Sequence, residues 1–355
     1  MIAFVYGGLP ARVLFGDGTL AQLSEEIAKL GAMRVLVIST PHQAAQAEHV
    51  AGLLTDKSAG ICTLATMHTP TSVTEQALAI VRDRKVDALV AVGGGSTIGL
   101  AKAIALRTDL PIVAIPTTFA GSEMTPILGE TGGGVKTTQK SPKVLPKVVI
   151  YDVALTLTLP PALCGVSGLN AIAHAVEALY AQDRNPVIDL LALESIAALA
   201  RSLPRIAADA EDREARSDAL YGAFLGGACL GAVGMALHHK LCHTLGGSFG
   251  LPHAETHAIV LPHALAYNAP AIENVMDRIE KALATRDAPQ ALYDLGAQVH
   301  APRGLKDLGM PESSIDKATD LALANTYWNP RPLERAPLRA LLAAAWAGTS
   351  PNASK

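Results

Sequence analysis

DALVAVGGGSTIGLAKAIAL, residues 87–106, decides the fold. The run Ala88–Val92 is uninterrupted and apolar, as expected of a strand buried on both faces. Gly93, Gly94, Gly95 and Ser96 follow, and a helix-like pattern then continues through Leu106. Glycines at such a junction let a backbone approach a ligand closely. The new helix offers unpaired N–H groups and a positive dipole end to phosphate oxygens. The turn is neither the GxGxxG fingerprint nor a P-loop, since Lys102 lies too far from the glycines. A tight β–α turn without a ligand is the other reading.

Outward from this unit, Ala32–Ser39, Pro111–Pro116 and Lys147–Tyr151 also read as buried strands, and Thr19–Leu30 as a helix. Strands separated by helical patterns predict a parallel sheet. Beyond about Pro160 the pattern becomes helical, over 168–181, 188–208, 213–230, 235–245, 275–283, 291–299, 313–325 and 333–347. The fold class expected is an N-terminal α/β domain with a parallel dinucleotide-binding sheet (1–158) and an all-α C-terminal catalytic domain (159–355). A ligand is expected in the cleft between them.

Two further turns at strand ends are polar. PTTFAGSE (116–123) carries Thr117, Thr118 and Ser122, at the same carboxyl edge of the sheet where ligands of open parallel sheets bind. The strand ending at Ser39 is followed by Thr40, with no acid to hold the adenosine ribose and repel a 2′-phosphate. Use of both NADH and NADPH is expected, unless another residue contacts the ribose. The cofactor-binding candidates are therefore Ser39, Gly93, Gly94, Gly95, Ser96, Thr117, Thr118 and Ser122.

The stretch 235–263, MALHHKLCHTLGGSFGLPHAETHAIVLPH, holds six of the eleven histidines. His239 and His243 lie one helical turn apart, and the Gly-rich break before His253 lets the chain return to the same point. Such a cluster suits a metal or a proton-transfer site. His238 is expected to turn away from it, and His257 and His263 to be structural. A net charge of −3 without charge runs speaks against nucleic-acid or anionic-membrane partners. Cys62, Cys164, Cys229 and Cys242 form no CxxC pair, which fits a reducing cytoplasm. No run approaches the ~18–20 apolar residues of a membrane span.

Together, VGGGS, PTTFAGSE, GLNAIAHAVEAL and HHKLCHTLGGSFGLPH resemble the iron-containing alcohol dehydrogenase-like superfamily, over nearly the whole chain. That superfamily holds its metal with one Asp and three His. Carried over by position, these fall on Asn170, His174, His239 and His253. Asn170 stands where the Asp is expected, and a neutral amide is a poor ligand that removes a compensating charge. No tightly bound metal is therefore expected, and these four positions are vestigial.

The resemblance is strongest to the branch that reduces the C=C bond of maleylacetate to 3-oxoadipate in the degradation of aromatic compounds, using NADH or NADPH. It implies His243 and His253 as catalytic, with Asn170, His174 and His239 against a small dicarboxylate substrate. His174 alone reads equally as a packed helix histidine. Lys136 matches a family lysine that reaches the cofactor, although such a loop lysine is by itself usually solvated. Lys140, Lys143, Lys240 and Arg331 are further candidates for binding a dianion. A cytoplasmic homodimer is implied, with Ile2–Arg12 available to pair with a second subunit. The alternatives are a metal-dependent alcohol or polyol dehydrogenase of the same superfamily, a sugar-phosphate lyase or synthase, or a non-catalytic nucleotide sensor.

Overall fold

A computed structural model describes residues 4, 6–9, 11–133, 135–324 and 327–351; the side chains of Val135 and Lys136 lie outside the description. The chain divides into two compact units. One is Gly8–Leu159, and the other runs from Pro160 and includes the described residues ahead of Gly8. Most of the segment suggested for pairing with a second subunit lies outside the described residues or is irregular.

The first unit runs β1 (Arg12–Gly16), α1 (Leu23–Lys29), β2 (Val35–Ile38), α2 (Ala44–Leu53), β3 (Ser58–Cys62), α3 (Thr71–Asp83), β4 (Ala88–Gly93), α4 (Gly95–Thr108), β5 (Ile112–Pro116), β6 (Ile127–Gly132), β7 (Val135–Lys140) and β8 (Val148–Asp152). Six strands form one sheet in the order β1-β8-β5-β4-β2-β3. Every pairing in it is parallel. Alternate residues feed opposite cores. Val35, Val37, Val90, Val92, Val113 and Ile115 pack with Leu23 and Ile27 on one face. Leu36, Ile38, Leu89 and Ala91 pack with Ile98 and Ile104 on the other. Burial on both faces explains why these strands read as continuous apolar runs. From β2 the chain passes outward to β3, then returns to the other side of β2 as β4. The sheet order therefore reverses between β2 and β4, the position where open α/β sheets bind ligands.

Strands β1 and β3, and the antiparallel hairpin β6-β7, are absent from the sequence expectation. β1 and β3 are edge strands with part-exposed patterns, so neither carries the apolar signal of the four strands that were expected.

The second unit contains α5 (Pro161–Leu179), α6 (Pro186–Ala208), α7 (Arg213–Ala232), α8 (Leu237–Phe249), α9 (His253–Asn268), α10 (Glu273–Ala282), α11 (Ala288–Gln298), α12 (Ile315–Ala324) and α13 (Arg335–Ala347). Among its described residues there is no strand. α5 is buried on nearly all sides. Gly226 of α7 lets that helix reach the α5 backbone, since a Cβ there would sit 2.8 Å from the Ala171 carbonyl oxygen. Among the described helices α5 alone is long and apolar enough to cross a membrane, and 89% of that window is buried inside the unit, as in a core helix.

Candidate active site

Two sets of residues stand out, one in each unit. At the carboxyl edge of the sheet, Gly93 leaves β4 with φ 149° and Gly94 is the N-cap of α4. A Cβ on Gly93 would lie 2.4 Å from Thr97 Oγ1, and one on Gly94 would lie 2.9 Å from Thr118 Cγ2 and Oγ1. The two turns named from sequence are thus in mutual contact, and only glycine fits. Gly94 has no side chain with which to cap α4, so this 14-residue helix presents its first N–H groups at the edge. Thr97 Oγ1 is buried there without a partner. These features fit a dinucleotide pyrophosphate.

Ser39 is tied up internally, its hydroxyl donating to the Val92 carbonyl at 2.9 Å. Gln43, unmarked in the sequence, joins the three turns. It donates to Thr117 Oγ1 at 2.8 Å and accepts from Thr40 at 3.3 Å. Lys102 is also unmarked in that role. It is fully buried, and its Nζ donates to the carbonyls of Ser122, Thr125 and Ile127 and to Thr125 Oγ1 at 2.6–2.9 Å. Burial pulls this ammonium down to about 7, against the pull of Glu123. Lys102 thereby pins the segment after β5 onto α4. Glu123, itself buried, accepts from the Tyr151 hydroxyl at 2.8 Å. A lysine in an alanine-rich helix gives no sign of burial, so sequence could not have found this clamp. The side chain of Lys136 lies outside the description. Lys143 pairs with Asp109 at the surface, and Arg331 stacks on Tyr267.

The second set lies on α5, α8 and α9. Asn170, His174 and Glu177 share one face of α5. The rings of His174 and His239 are 5.1 Å apart, and those of His239 and His243 are 6.2 Å apart. The proline and glycine break after α8 returns the chain as expected. The His253 ring stacks 6.5 Å from His243 and lies 4.2 Å from His257. His238 departs from the sequence expectation that it turns away. His238 packs into the cluster, 4.8 Å from the His257 ring, because its Nε2 is held 3.0 Å from the His257 carbonyl. His257 is fully buried with neither ring nitrogen partnered. His263 lies apart, beside Tyr293. Lys240 lies over the Tyr327 ring.

Glu177, missed in the sequence, holds His239 by an Oε2···Nδ1 contact of 2.7 Å. Its signal was present: it is a lone acid at i+3 from His174 in an apolar helix. Burial pushes its carboxyl up, partly offset by His238 and by backbone N–H donors. Burial drives the imidazoles the other way, with His239 pushed down to about 3, His238 to about 4, and His174 and His257 well below the usual range. They rest as neutral rings.

Asn170 Oδ1, His174 Nδ1 and His239 Nε2 are buried and unpartnered. These are the atoms a metal would engage, but the set departs from the one Asp and three His of the family. Asn170 supplies an amide, and Glu177 is spent on His239 Nδ1 and the start of α8. His238, His239 and His257 bring ring nitrogens within 4.8 Å of one another, so a metal here would meet neutral imidazoles and an amide, with a carboxylate only behind His239.

One unit carrying a dinucleotide edge and another carrying buried imidazoles define a dinucleotide-dependent oxidoreductase. The chain belongs to the iron-containing alcohol dehydrogenase family. It matches the model "Iron-containing alcohol dehydrogenase" over residues 10–153 and "Fe-containing alcohol dehydrogenase family, C-terminal" over 165–346. It is 53% identical to a maleylacetate reductase of Sphingobium indicum, covering 98% of this chain and 99% of that protein. Solved structures of maleylacetate reductases from Agrobacterium tumefaciens (50% identity) and Rhizobium sp. (51%) each superpose with a TM-score of 0.95, covering 99% of this chain and all of theirs.

Proposed function

We propose that this protein reduces the C=C bond of maleylacetate to give 3-oxoadipate, without a tightly bound metal. The bound NADH or NADPH supplies the hydride. The observation that carries the reading is the set of buried unpartnered polar atoms of Asn170, His174 and His239, grouped with His243 and His253. The full-length likeness to maleylacetate reductases supports the substrate.

The unit Gly8–Leu159 holds the dinucleotide. The N–H groups at the start of α4 and the hydroxyls of Ser96, Thr117, Thr118 and Ser122 would receive its phosphates, and Lys136 is assigned to the cofactor from the family resemblance alone. Without an acid after β2, both NADH and NADPH are accepted.

Hydride adds to the alkene carbon β to the ketone, and charge moves onto the ketone oxygen. Stabilising that oxygen lowers the barrier most, since its charge grows only in the transition state. His243 provides the stabilising N–H or the proton delivered to the adjacent carbon, and His253 holds it or a substrate carboxylate. His174, His239 and Asn170 line the substrate's position. The metal-dependent alcohol or polyol dehydrogenase alternative lacks the carboxylate it needs at Asn170. We place the enzyme in the cytoplasm as a homodimer, with no nucleic-acid or membrane partner.

The test is steady-state oxidation of NADH and of NADPH with maleylacetate. Turnover with this substrate supports the reading. Failure to oxidise either cofactor sinks it.

A further inference from the structure

We propose that Glu177 is a positioning residue for this reaction: it fixes the tautomer of His239, leaving the Nε2 lone pair inside the cluster. The inference rests on reading the imidazole cluster as the site of reduction.

Two independent contacts demand the same tautomer. The first is Glu177 itself. Its two oxygens accept from the backbone N–H groups of Ala236, His238 and His239, from the Tyr180 hydroxyl and, at 2.7 Å, from His239 Nδ1. A carboxylate surrounded by donors accepts the Nδ1 proton as well. The second is His238. Its Nε2 lies 3.0 Å from the His257 carbonyl, which can only accept, so Nε2 carries the proton and Nδ1 is bare. That bare Nδ1 lies 3.4 Å from His239 Nδ1. The approach is favourable only if the His239 nitrogen carries hydrogen.

His239 Nε2 is therefore an acceptor at rest, buried and unpartnered. It cannot donate to a developing oxyanion. It can receive a hydrogen bond there and orient its donor, which leaves oxyanion stabilisation to another ring. Glu177 has a second task, since from α5 the same carboxylate accepts the N–H groups of the α8 N-cap Ala236 and of His238 and His239 in its first turn. One acid thus sets both where the helix begins and which nitrogen of His239 is basic.

Glutamine is not a substitute. Both Glu177 oxygens face donors, so the amide NH₂ of a glutamine meets an N–H in either orientation. In the intact enzyme, Glu177→Gln is expected to lower kcat on maleylacetate by ~10–100-fold, on the scale seen when a group orienting a metal-ligating histidine is lost, with NADH affinity unchanged. In a His239→Phe background the same change should cost less than about 2-fold, because its effect runs through that ring. Losses that multiply fully in both backgrounds reduce Glu177 to a helix cap and overturn the proposal. Histidine side-chain ¹⁵N NMR of the unmutated protein is the second arm. Nδ1–H on His239 supports the proposal, and Nε2–H overturns it, even if Glu177→Gln fails to fold. Should the native enzyme not turn over maleylacetate, the functional reading fails, and the NMR arm still judges Glu177.

Discussion

Gly94 leaves no room for a side chain, because Thr118 of the following turn occupies the space. Gly94→Ala must displace that threonine at a cost of about 1–3 kcal/mol. If half of this falls on the cofactor turn, NADH binding weakens by roughly 2- to 10-fold. A fluorescence titration giving native affinity would remove the turn from the cofactor site. His243→Phe is the complementary change. It should leave NADH binding intact while cutting turnover at least ~100-fold, the lower scale for a general acid; near-normal turnover excludes His243 from the chemistry. The histidines were legible because an unpaired ring is costly to bury, so six in one stretch call for an explanation. Glu177 was legible only as a lone acid in an apolar helix, since local sequence gives no hint of which groups it will face. His238 was misjudged for a related reason. Helical periodicity separates it from His239 by 100°, but α9 packs against α8 and offers it a carbonyl on that side.

At the level of elements, α5, α8 and α9 assemble an electrically neutral imidazole cluster, with consequences in acid. The rings of His174, His238, His239 and His257 all have folded values below the unfolded one of 6.5. The unfolded chain therefore binds more protons than the folded one below about pH 6.5, and stability is lost as pH falls from there toward the folded values. Each ring contributes up to about 1.4 kcal/mol per pH unit in that window. Melting temperature should be level from pH 7 to 8 and drop steeply between pH 6 and 4.5. A flat profile to pH 4.5 contradicts a neutral cluster. Elements were legible in proportion to their burial. β2, β4, β5 and β8 announce themselves because both faces are covered. β3, SAGIC, is nearly all part-exposed and has one large apolar residue inside it, and β7, VKTTQK, is polar. Their strand state comes from pairing with a neighbour, which local composition does not encode.

For the whole molecule, the family name implies iron, whereas the function proposed above needs none. A site of neutral donors around Asn170 predicts that dialysis against EDTA leaves turnover of maleylacetate unchanged and that metal analysis finds no stoichiometric iron or zinc. Loss of activity on chelation, restored by one equivalent of metal, would falsify the metal-free reading. The sheet carries a different consequence. β1 completes it only by pairing with β8, Arg12 against Val148 and Gly16 against Asp152. During synthesis an early strand must wait, unpaired, until more than a hundred further residues have left the ribosome. Parallel pairings of such long sequence separation close late and slowly. The waiting strand is also a hazard, since an unpaired strand edge invites other nascent chains. Arg12–Gly16 is thus the segment at which shielding during translation is expected to matter for this enzyme's yield.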